Sequence, residues 1–330
     1  MQLSGENGVI EQYMVDCSNR GNVEHTQVIR RRLFGWLMRW LEEKGVTELE
    51  DITLALLRQF LSFLLQSDSS ERCEVPGHSK KLAVSTVATQ VAYLKAFFNW
   101  CYQEELIPSN PAARLKKPKV PEKVVAALTP EHLERLLAAC DTSTNTGFRD
   151  YVIMLVLLDT GMRVSELASL CVSDVHVRYV KVHGKGHRER EIGLHSDVSK
   201  LLWKYVNKYR VSNGFESDRV FLGEKGPLTV SGLECIVGRV KEKSGITDIR
   251  VTPHVFRHTH SKRYLKRGGD LFKLSRELGH STVQTTANIY LGDFKSSDAR
   301  DDHDKYSVIE DIKPKGPRDD KGGGKGKRRG

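Results

Sequence analysis

Several features that define other protein classes are scarce or missing in this 330-residue sequence. The six cysteines are scattered without a CxxC pair, which argues against a zinc site and against a disulfide framework. The longest apolar run, residues 151–158, is far too short to cross a bilayer, so no membrane partner is expected. The first eight residues lack the basic and apolar blocks of a signal peptide, and we therefore expect a cytoplasmic protein.

The composition indicates a globular protein with a modest excess of positive charge. Apolar residues make up 39% and charged residues 28%, and the length allows two domains with a core each. The net charge is +10, but the segment from Lys313 onward holds eight basic and two acidic residues. This segment supplies +6, which leaves only +4 for the rest. Charge is therefore compatible with DNA binding but does not establish it.

The first part of the chain predicts a small helical domain, residues 21–115, behind a loose arm at residues 1–20. Helical periodicity covers residues 28–43 and 52–65, and Ser85 is a candidate N-cap for a third helix. A short helix is also expected near residues 111–115. In the first helix, Arg30 and Arg31 flank the apolar stripe and are candidates for DNA contact.

A proline- and lysine-rich segment follows, and it predicts an interdomain linker over residues 116–126. Prolines stiffen an extended backbone, and Lys116, Lys117 and Lys119 on such a backbone can follow a phosphate chain. Thr129 and Pro130 then begin a mainly helical domain, residues 127–300, with a β-hairpin at residues 177–194. Residues 301–330 predict a basic disordered tail, either bound to DNA or to a neighbouring subunit, or simply solvated.

Two segments of this domain place arginines where an anion is needed. Thr252 and Pro253 begin a helix on which His254 and Arg257 share a face, a suitable arrangement for a phosphate, although a solvated surface pair is the alternative. Arg163 follows the end of an apolar helix at Gly161. Its charge requires a partner there, either Glu166 or a ligand phosphate.

Two further segments carry a lysine and a tyrosine. Lys185 lies between glycines at the hairpin tip, where it either contacts a ligand or only aids solubility. Gly279 ends a helix, and Ser281 is a candidate cap for the next helix, which carries Tyr290 near its far end. A tyrosine in this setting is usually a packing residue. Tyr264 and Tyr306 compete with it for a special role.

Taken together, these segments resemble the tyrosine recombinase (phage integrase) family over residues 127–295. The local motifs are TGMRVSEL, GKG, HVFRHT, and LGHS with a tyrosine ten residues after the histidine. In chain order the matching set is Arg163, Lys185, His254, Arg257, His280 and Tyr290.

The resemblance implies a helical SAM-like core-binding domain, an α+β catalytic domain, and site-specific cutting and rejoining of DNA through a 3′-phosphotyrosine. Tyr290 would be the nucleophile, Arg163 and Arg257 would clamp the phosphate, and His280 would donate a further hydrogen bond. Lys185 would protonate the leaving 5′ oxygen, and His254 would steer the tyrosine proton. Glu166 would orient Arg163.

The resemblance also implies the enzyme's partners. The protein would act without ATP or a metal ion, as a homotetramer on double-stranded DNA with paired recombination sites, in association with the nucleoid. His187, beside the lysine of the hairpin tip, is a candidate DNA contact, although a plain hairpin role is the alternative.

Other interpretations stay open. A type IB topoisomerase shares this chemistry but relaxes DNA without exchanging partners, and the LGHS context favours a recombinase. A DNA-binding accessory protein would have a broken catalytic set, and a ribonuclease-like interpretation has no ordered motif to support it. Integration, excision, resolution and inversion are not distinguished, and neither the target sequence nor a link to a mobile element follows.

Overall fold

The computed structural model describes residues 2–3, 8–21, 24–68, 81–121, 126–184, 189–210, 214, 216–280 and 282–290, with His25 and residues 288–290 described by their backbone alone. The chain divides into two compact units, residues 1–123 and residues 124–330, which we name the helical unit and the C-terminal unit. Each has its own hydrophobic core. The fold is mainly helical, as expected from the sequence, and within these ranges it has two small antiparallel sheets, of which only the first was predicted.

The helical unit is built from helices around an aromatic core. Tyr13 contacts Phe34, Phe97 and Trp100, with ring centroids 5.3–5.9 Å apart. Edge-on and tilted ring pairs of this kind add to the stabilisation from burial. In chain order the helices are α1 (Val9–Asn19), α2 (Glu24–Glu42), α3 (Leu54–Gln66) and α4 (Val84–Gln103).

Several predictions for this unit were wrong in detail. The expected arm at residues 1–20 contains α1, whose buried face includes Tyr13 and Cys17. The third predicted helix begins at Val84 after Ala83, so Ser85 lies inside the helix and does not cap it. Residues 111–114 form turns and not a helix. The second predicted helix, residues 52–65, begins later than expected: α3 begins at Leu54, and Thr53 is its N-cap.

The two arginines proposed to contact DNA from α2 are engaged within the unit. Arg30 lies over the rings of Tyr13 and Tyr93, 5.7 and 5.2 Å from the centroids, and its Nη1 lies 2.8 Å from Cys17 Sγ. Arg31 donates two hydrogen bonds to Glu11, at 2.8 and 3.0 Å. These contacts engage the partly buried Arg30 in packing within the unit, and they do not test its predicted contact with DNA. Arg31 is exposed, but its charge is already compensated.

The C-terminal unit begins as the sequence predicts, with Thr129 capping a helix that has Pro130 in its first turn. Its helices are α5 (Pro130–Ala138), α6 (Asn145–Thr160), α7 (Val164–Ser169), α8 (Ser196–Lys204), α9 (Val230–Lys243), α10 (Pro253–Lys266), α11 (Leu271–Leu278) and α12 (Val283–Tyr290). The strands are β1 (Tyr179–His183), β2 (Glu189–Gly193), β3 (Leu222–Gly223) and β4 (Gly226–Pro227).

Helix α6 passes through the centre of this unit. Val152, Ile153, Val156 and Leu157 are fully buried, as expected for a helix that is apolar on most sides. The helix ends at Gly161, which has a φ of +58°. A Cβ at this glycine would lie 2.7 Å from the His260 ring, so α10 can pack closely here only because the side chain is missing.

Strands β1 and β2 form the predicted hairpin, with Val182 opposite Arg190 and His183 opposite Glu189. The tip with Lys185 and His187, and the tail from residue 301, lie outside the described residues. Within the described ranges, none of the helices combines the length and apolarity that a membrane span requires.

Candidate active site

The site is organised around the carboxyl end of α11. Gly279 has a φ of +64° and forms a Schellman cap, in which the Gly279 N–H donates to Arg276 O and the His280 N–H donates to Ser275 O. This cap satisfies the carbonyls of Ser275 and Arg276. The last four carbonyls of a helix have no partner within it, so those of Glu277 and Leu278 must find donors elsewhere, as must the carbonyl of Gly279 just beyond the helix.

Each of these three carbonyls accepts a hydrogen bond from a different arginine. Arg190 Nε donates to Glu277 O at 2.6 Å, Arg257 Nη2 to Leu278 O at 2.8 Å, and Arg163 Nη2 to Gly279 O at 3.2 Å. We name the main-chain carbonyls of residues 277–279 the carbonyl triplet. Cations are favoured here because the helix dipole is negative at its carboxyl end.

Arg163 follows the helix end at Gly161, as the sequence indicated, and it occupies the N-cap position of α7. Glu166, three residues further on, accepts the Arg163 backbone N–H at 2.7 Å and the Arg163 guanidinium at 2.9 Å. The Arg163 side chain remains 42% exposed while Glu166 is buried. The sequence allowed either Glu166 or a ligand phosphate as the partner of Arg163, and in the structure the guanidinium is paired with Glu166.

Arg190 was not anticipated from the sequence. It donates two further hydrogen bonds to Glu166, both at 2.9 Å, so the carboxylate accepts four in all. Burial alone would raise the pKa of Glu166, but the bonds from Arg190 and Arg163 lower it on balance. The sequence gives only a weak indication of this role, since Arg190 is one charged residue in a strand with the sequence EREIG.

Arg257 is buried between the ends of two helices. Its Nη1 donates to Gly161 O at 2.9 Å, at the end of α6, and its Nη2 to the carbonyl triplet. The predicted cap of α10 by Thr252, with Pro253 in the first turn, is confirmed. That cap fixes the start of the helix, and the two carbonyl contacts fix the guanidinium.

His280 directly follows the Schellman cap and contacts both neighbouring elements. Its Nε2 lies 2.9 Å from Arg257 Nη2, and its Nδ1 lies 2.7 Å from Thr286 Oγ1 on α12. Burial and then the charges of Arg257, Arg163 and Arg190 lower the pKa of His280 to about 4. The ring is therefore neutral at physiological pH.

Arg163 and Arg257, which are far apart in the sequence, meet at the carbonyl triplet, and His280 follows the triplet and contacts Arg257. His254 lies in the first turn of α10 and is exposed. Tyr290 is the last residue of α12, as predicted, but its side chain lies outside the described part of the structure, as do Lys185, His187 and the candidate cap Ser281.

An open cleft of about 1570 Å³ lies over these groups, with Arg163, Arg190 and His280 in its lining. Gly184, the last described residue before Lys185, also lines it, as do His183 and Glu189 at the ends of the two strands. Within the described ranges, no cluster of three or more His, Cys, Asp or Glu side chains is placed to hold a metal ion. In the helical unit, Lys116, Lys117 and Lys119 are exposed in a segment that is neither helix nor strand.

Each of the two units matches a phage integrase family model when its sequence is compared with those of known proteins. Residues 126–296 match the phage integrase family, and residues 7–119 match the phage integrase SAM-like domain. The tyrosine recombinase XerD of Listeria monocytogenes is 31% identical over 249 residues, which cover 74% of this chain and 79% of the relative. The tyrosine recombinase XerC of Bacillus licheniformis is 31% identical over 255 residues, with coverages of 75% and 79%.

Solved structures show the same fold. The Tn1549 transposon integrase, in complex with transposon right end DNA, matches with a TM-score of 0.71 at 22% identity, covering 91% of this chain and 99% of that one. A lambda integrase dimer bound to a core site matches with a TM-score of 0.64 at 19% identity, with coverages of 84% and 95%. The chain therefore belongs to the phage integrase family, the site-specific tyrosine recombinases.

Proposed function

We propose that Arg163, Arg257 and His280 bind the scissile phosphate of DNA and that Tyr290 attacks it. The observation that carries this proposal is the convergence of the two arginines and the histidine at the carboxyl end of α11, ten residues before the tyrosine in the sequence. The arginines are oriented before any substrate arrives because main-chain carbonyls hold them. Donors that are already oriented stabilise developing charge without reorganisation during the reaction.

The charge at the phosphorus centre is met by cationic side chains. Each charge-assisted hydrogen bond from a guanidinium to a non-bridging oxygen contributes about 1.5–3 kcal/mol. Arg163 is suited to this contact because 42% of its side chain is exposed. Arg257 and His280 would also bind the phosphate oxygens, once the phosphate has displaced the hydrogen bond between these two side chains.

In the proposed step the Tyr290 oxygen forms a bond to phosphorus while the bond from phosphorus to the 5′ oxygen breaks. Lys185 protonates that 5′ oxygen, and His254 receives or steers the phenol proton. A free phenol has a pKa of about 10 and is a poor nucleophile at neutral pH, so this removal of its proton is needed. The product is a 3′-phosphotyrosine and a 5′ hydroxyl.

Strand exchange follows when a 5′ hydroxyl from a second DNA displaces Tyr290. The covalent link retains the energy of the broken bond, so no ATP or metal ion is consumed. We propose a homotetramer on two paired sites, supported by the lambda integrase tetramer bound to a Holliday junction, which has the same fold with a TM-score of 0.62. Association with the nucleoid in the cytoplasm is also a proposal and rests on DNA being the substrate.

The helical unit and the linker would hold the duplex. Lys116, Lys117 and Lys119 are exposed and carry three positive charges within four residues of a segment that is neither helix nor strand. We propose that they bind phosphates. Arg30 is not part of this proposal, because it packs against Tyr13 and Tyr93.

The function can be tested without knowledge of the target sequence. The protein is incubated with nicked duplexes whose central region is randomised, and DNA that stays attached after denaturation is sequenced. We expect an enriched sequence bound through Tyr290. The Tyr290→Phe variant should bind the selected duplex without forming an adduct, while Tyr264→Phe and Tyr306→Phe should still form it. Absence of any adduct, or an adduct that survives Tyr290→Phe, would overturn the proposal.

A second assay separates exchange from simple relaxation. Supercoiled DNA carrying two copies of the selected sequence should give deletion or inversion products, whereas DNA with one copy should give no such product. Relaxation without any recombinant product would instead indicate a topoisomerase.

A further inference from the structure

The hydroxyl group of Thr286 links the phosphate site to the helix that carries the nucleophile. Thr286 is completely buried, and its Oγ1 lies 2.7 Å from His280 Nδ1. It lies on α12 one helical turn before Tyr290. Thr286 is not one of the six residues of the family-like set, and the sequence did not single it out.

The hydrogen bonds around His280 determine which ring nitrogen carries the proton. Arginine has donors and no acceptor, so Nε2 of His280 must accept the bond from Arg257 Nη2 at 2.9 Å. In the neutral ring the proton is then on Nδ1, and Nδ1 donates it to Thr286 Oγ1. The pKa of about 4 agrees with a neutral ring.

This arrangement conflicts with the role proposed for His280 during cleavage. To donate a hydrogen bond to a phosphate oxygen from Nε2, the ring must carry its proton on Nε2. Nδ1 then becomes an acceptor. A neighbour that could only accept a hydrogen bond, such as a carboxylate or a backbone carbonyl, would oppose that change, because the lone pair of Nδ1 would then face the lone pairs of its oxygen.

A hydroxyl group serves both forms, since it donates or accepts after a rotation about its C–O bond. We propose that Thr286 is a positioning residue that lets His280 change from a hydrogen-bond acceptor for Arg257 into a donor for the phosphate. In the free enzyme Thr286 accepts from Nδ1–H. With the phosphate bound it donates to Nδ1, and the proton is on Nε2: water in the cleft that His280 lines takes the proton from Nδ1 and returns one to Nε2. The ring stays neutral throughout, so the proton count does not change.

The same contact couples this change to the nucleophile. Because Thr286 lies on α12, its hydrogen bond ties the backbone that carries Tyr290 to the ring that contacts the phosphate. This inference rests on the proposed function, because it assumes that His280 meets the phosphate.

Kinetics provide the first test, with the duplex selected by covalent capture at saturating concentration. Thr286→Val keeps the shape and removes the hydroxyl, and we expect adduct formation to slow by ~10-fold, equivalent to one lost hydrogen bond. Thr286→Ser keeps the hydroxyl and should stay within about threefold of the wild type, well below the tenfold effect of a lost bond. Thr229→Val removes the cap bond to the Gly232 N–H of α9 and serves as a control, lowering stability but not the rate.

A double-mutant cycle separates this role from a merely structural one. If Thr286 acts through the histidine, Thr286→Val should have almost no further effect on the rate in a His280→Ala background. An undiminished effect in that background would overturn the proposal, as would wild-type cleavage by Thr286→Val alone.

The tautomers are observable directly by nitrogen NMR of histidine-labelled full-length protein. We expect the His280 proton on Nδ1 in the free wild type, and on Nε2 in Tyr290→Phe bound to the selected duplex. A proton on Nε2 in the free protein, or a doubly protonated ring in the complex, would refute the switch. The free-protein spectrum needs no cleavage. If the wild type forms no adduct, the proposed function fails while this measurement still reports on Thr286.

Discussion

Glu166 and Arg190 form a two-bond ion pair in which each carboxylate oxygen lies 2.9 Å from a guanidinium nitrogen. The side chains are 6% and 14% exposed. Glu166 also holds Arg163, so one buried carboxylate lies between two arginines, of which only Arg163 is substantially exposed. The arrangement offsets one positive charge inside the site and directs the other toward the cleft.

Glu166→Gln should destabilise the C-terminal unit. Removal of one member of a buried ion pair costs about 3 kcal/mol, because it leaves the remaining charge without compensation. We expect a loss of that size in the free energy of unfolding, measured in urea. Lys200→Gln, which breaks an exposed pair with Asp197, is the control and should cause no measurable change. Equal stability of the two variants would contradict the buried-pair account.

Arg190→Lys should slow cleavage without weakening DNA binding. Lysine is a point charge and cannot make the two parallel bonds to Glu166 together with the bond to Glu277 O. Arg163 would then lose its orientation, and we expect a rate of adduct formation reduced by ~10-fold, the effect of about 1.4 kcal/mol.

Arg149→Lys is the matched control for this prediction, because Arg149 is also buried and also binds one carboxylate, that of Asp150, through two nitrogens. It should lower stability but not the rate per folded molecule. A normal rate for Arg190→Lys would show that Arg190 serves folding alone.

Gly279→Ala should cost more than an ordinary glycine replacement in a helix cap. Its φ of +64° imposes roughly 1–2 kcal/mol on any residue with a Cβ. The Cβ would also lie 2.9 Å from Arg190 Nη1 and displace it. Gly245→Ala has nearly the same φ, +66°, and its Cβ meets Arg135 at an ordinary 3.4 Å. Gly279→Ala should have a lower unfolding temperature and a slower rate of adduct formation than Gly245→Ala. Equal rates for the two variants would exclude the effect on Arg190.

The neutral state of His280 predicts a specific dependence of stability on pH. Its pKa falls from 6.5 to about 4 on folding, so the unfolded chain binds a proton between these values and the folded chain does not. The contribution is fully present above pH 6.5 and is lost as the pH falls toward 4. The free energy of unfolding of the wild type, measured in urea, should therefore fall over this pH range relative to that of His280→Gln, which has no titrating group at this position. Parallel curves for the two proteins would exclude the shift.

Replacement of Lys116, Lys117 and Lys119 by glutamine should lower the affinity for DNA and should make that affinity less dependent on salt concentration. Each lost phosphate contact reduces the slope of log affinity against log salt by about 0.9. Binding of an arbitrary duplex, measured by fluorescence anisotropy at several salt concentrations, gives this slope. Arg30→Met should leave the slope unchanged because Arg30 packs inside the helical unit. An unchanged slope in the triple variant would remove the linker from the DNA interface.

Local backbone chemistry explains which structural predictions from the sequence succeeded. The caps at Thr129 and Thr252 and the left-handed helix ends at Gly161 and Gly279 depend on residues within four positions, so the sequence contains all the partners involved. Helix α1 was missed even though Val9, Tyr13, Met14 and Cys17 have helical spacing. The apolar residues Ile10 and Val15, which lie outside this buried stripe, reduced the contrast between the two faces on which the prediction relied.

The sequence by itself determined the family, the order of the candidate catalytic residues, the helix ends at Gly161 and Gly279, and the start of α10 after Thr252. Only the tertiary structure decided what those residues contact. Arg190 meets Glu277 across 87 positions, Arg257 meets Gly161 across 96, and Arg163 meets Gly279 across 116. No local pattern encodes such pairs, because the free carbonyls at the end of α11 attract whichever donors the packing of distant helices and a strand brings to them.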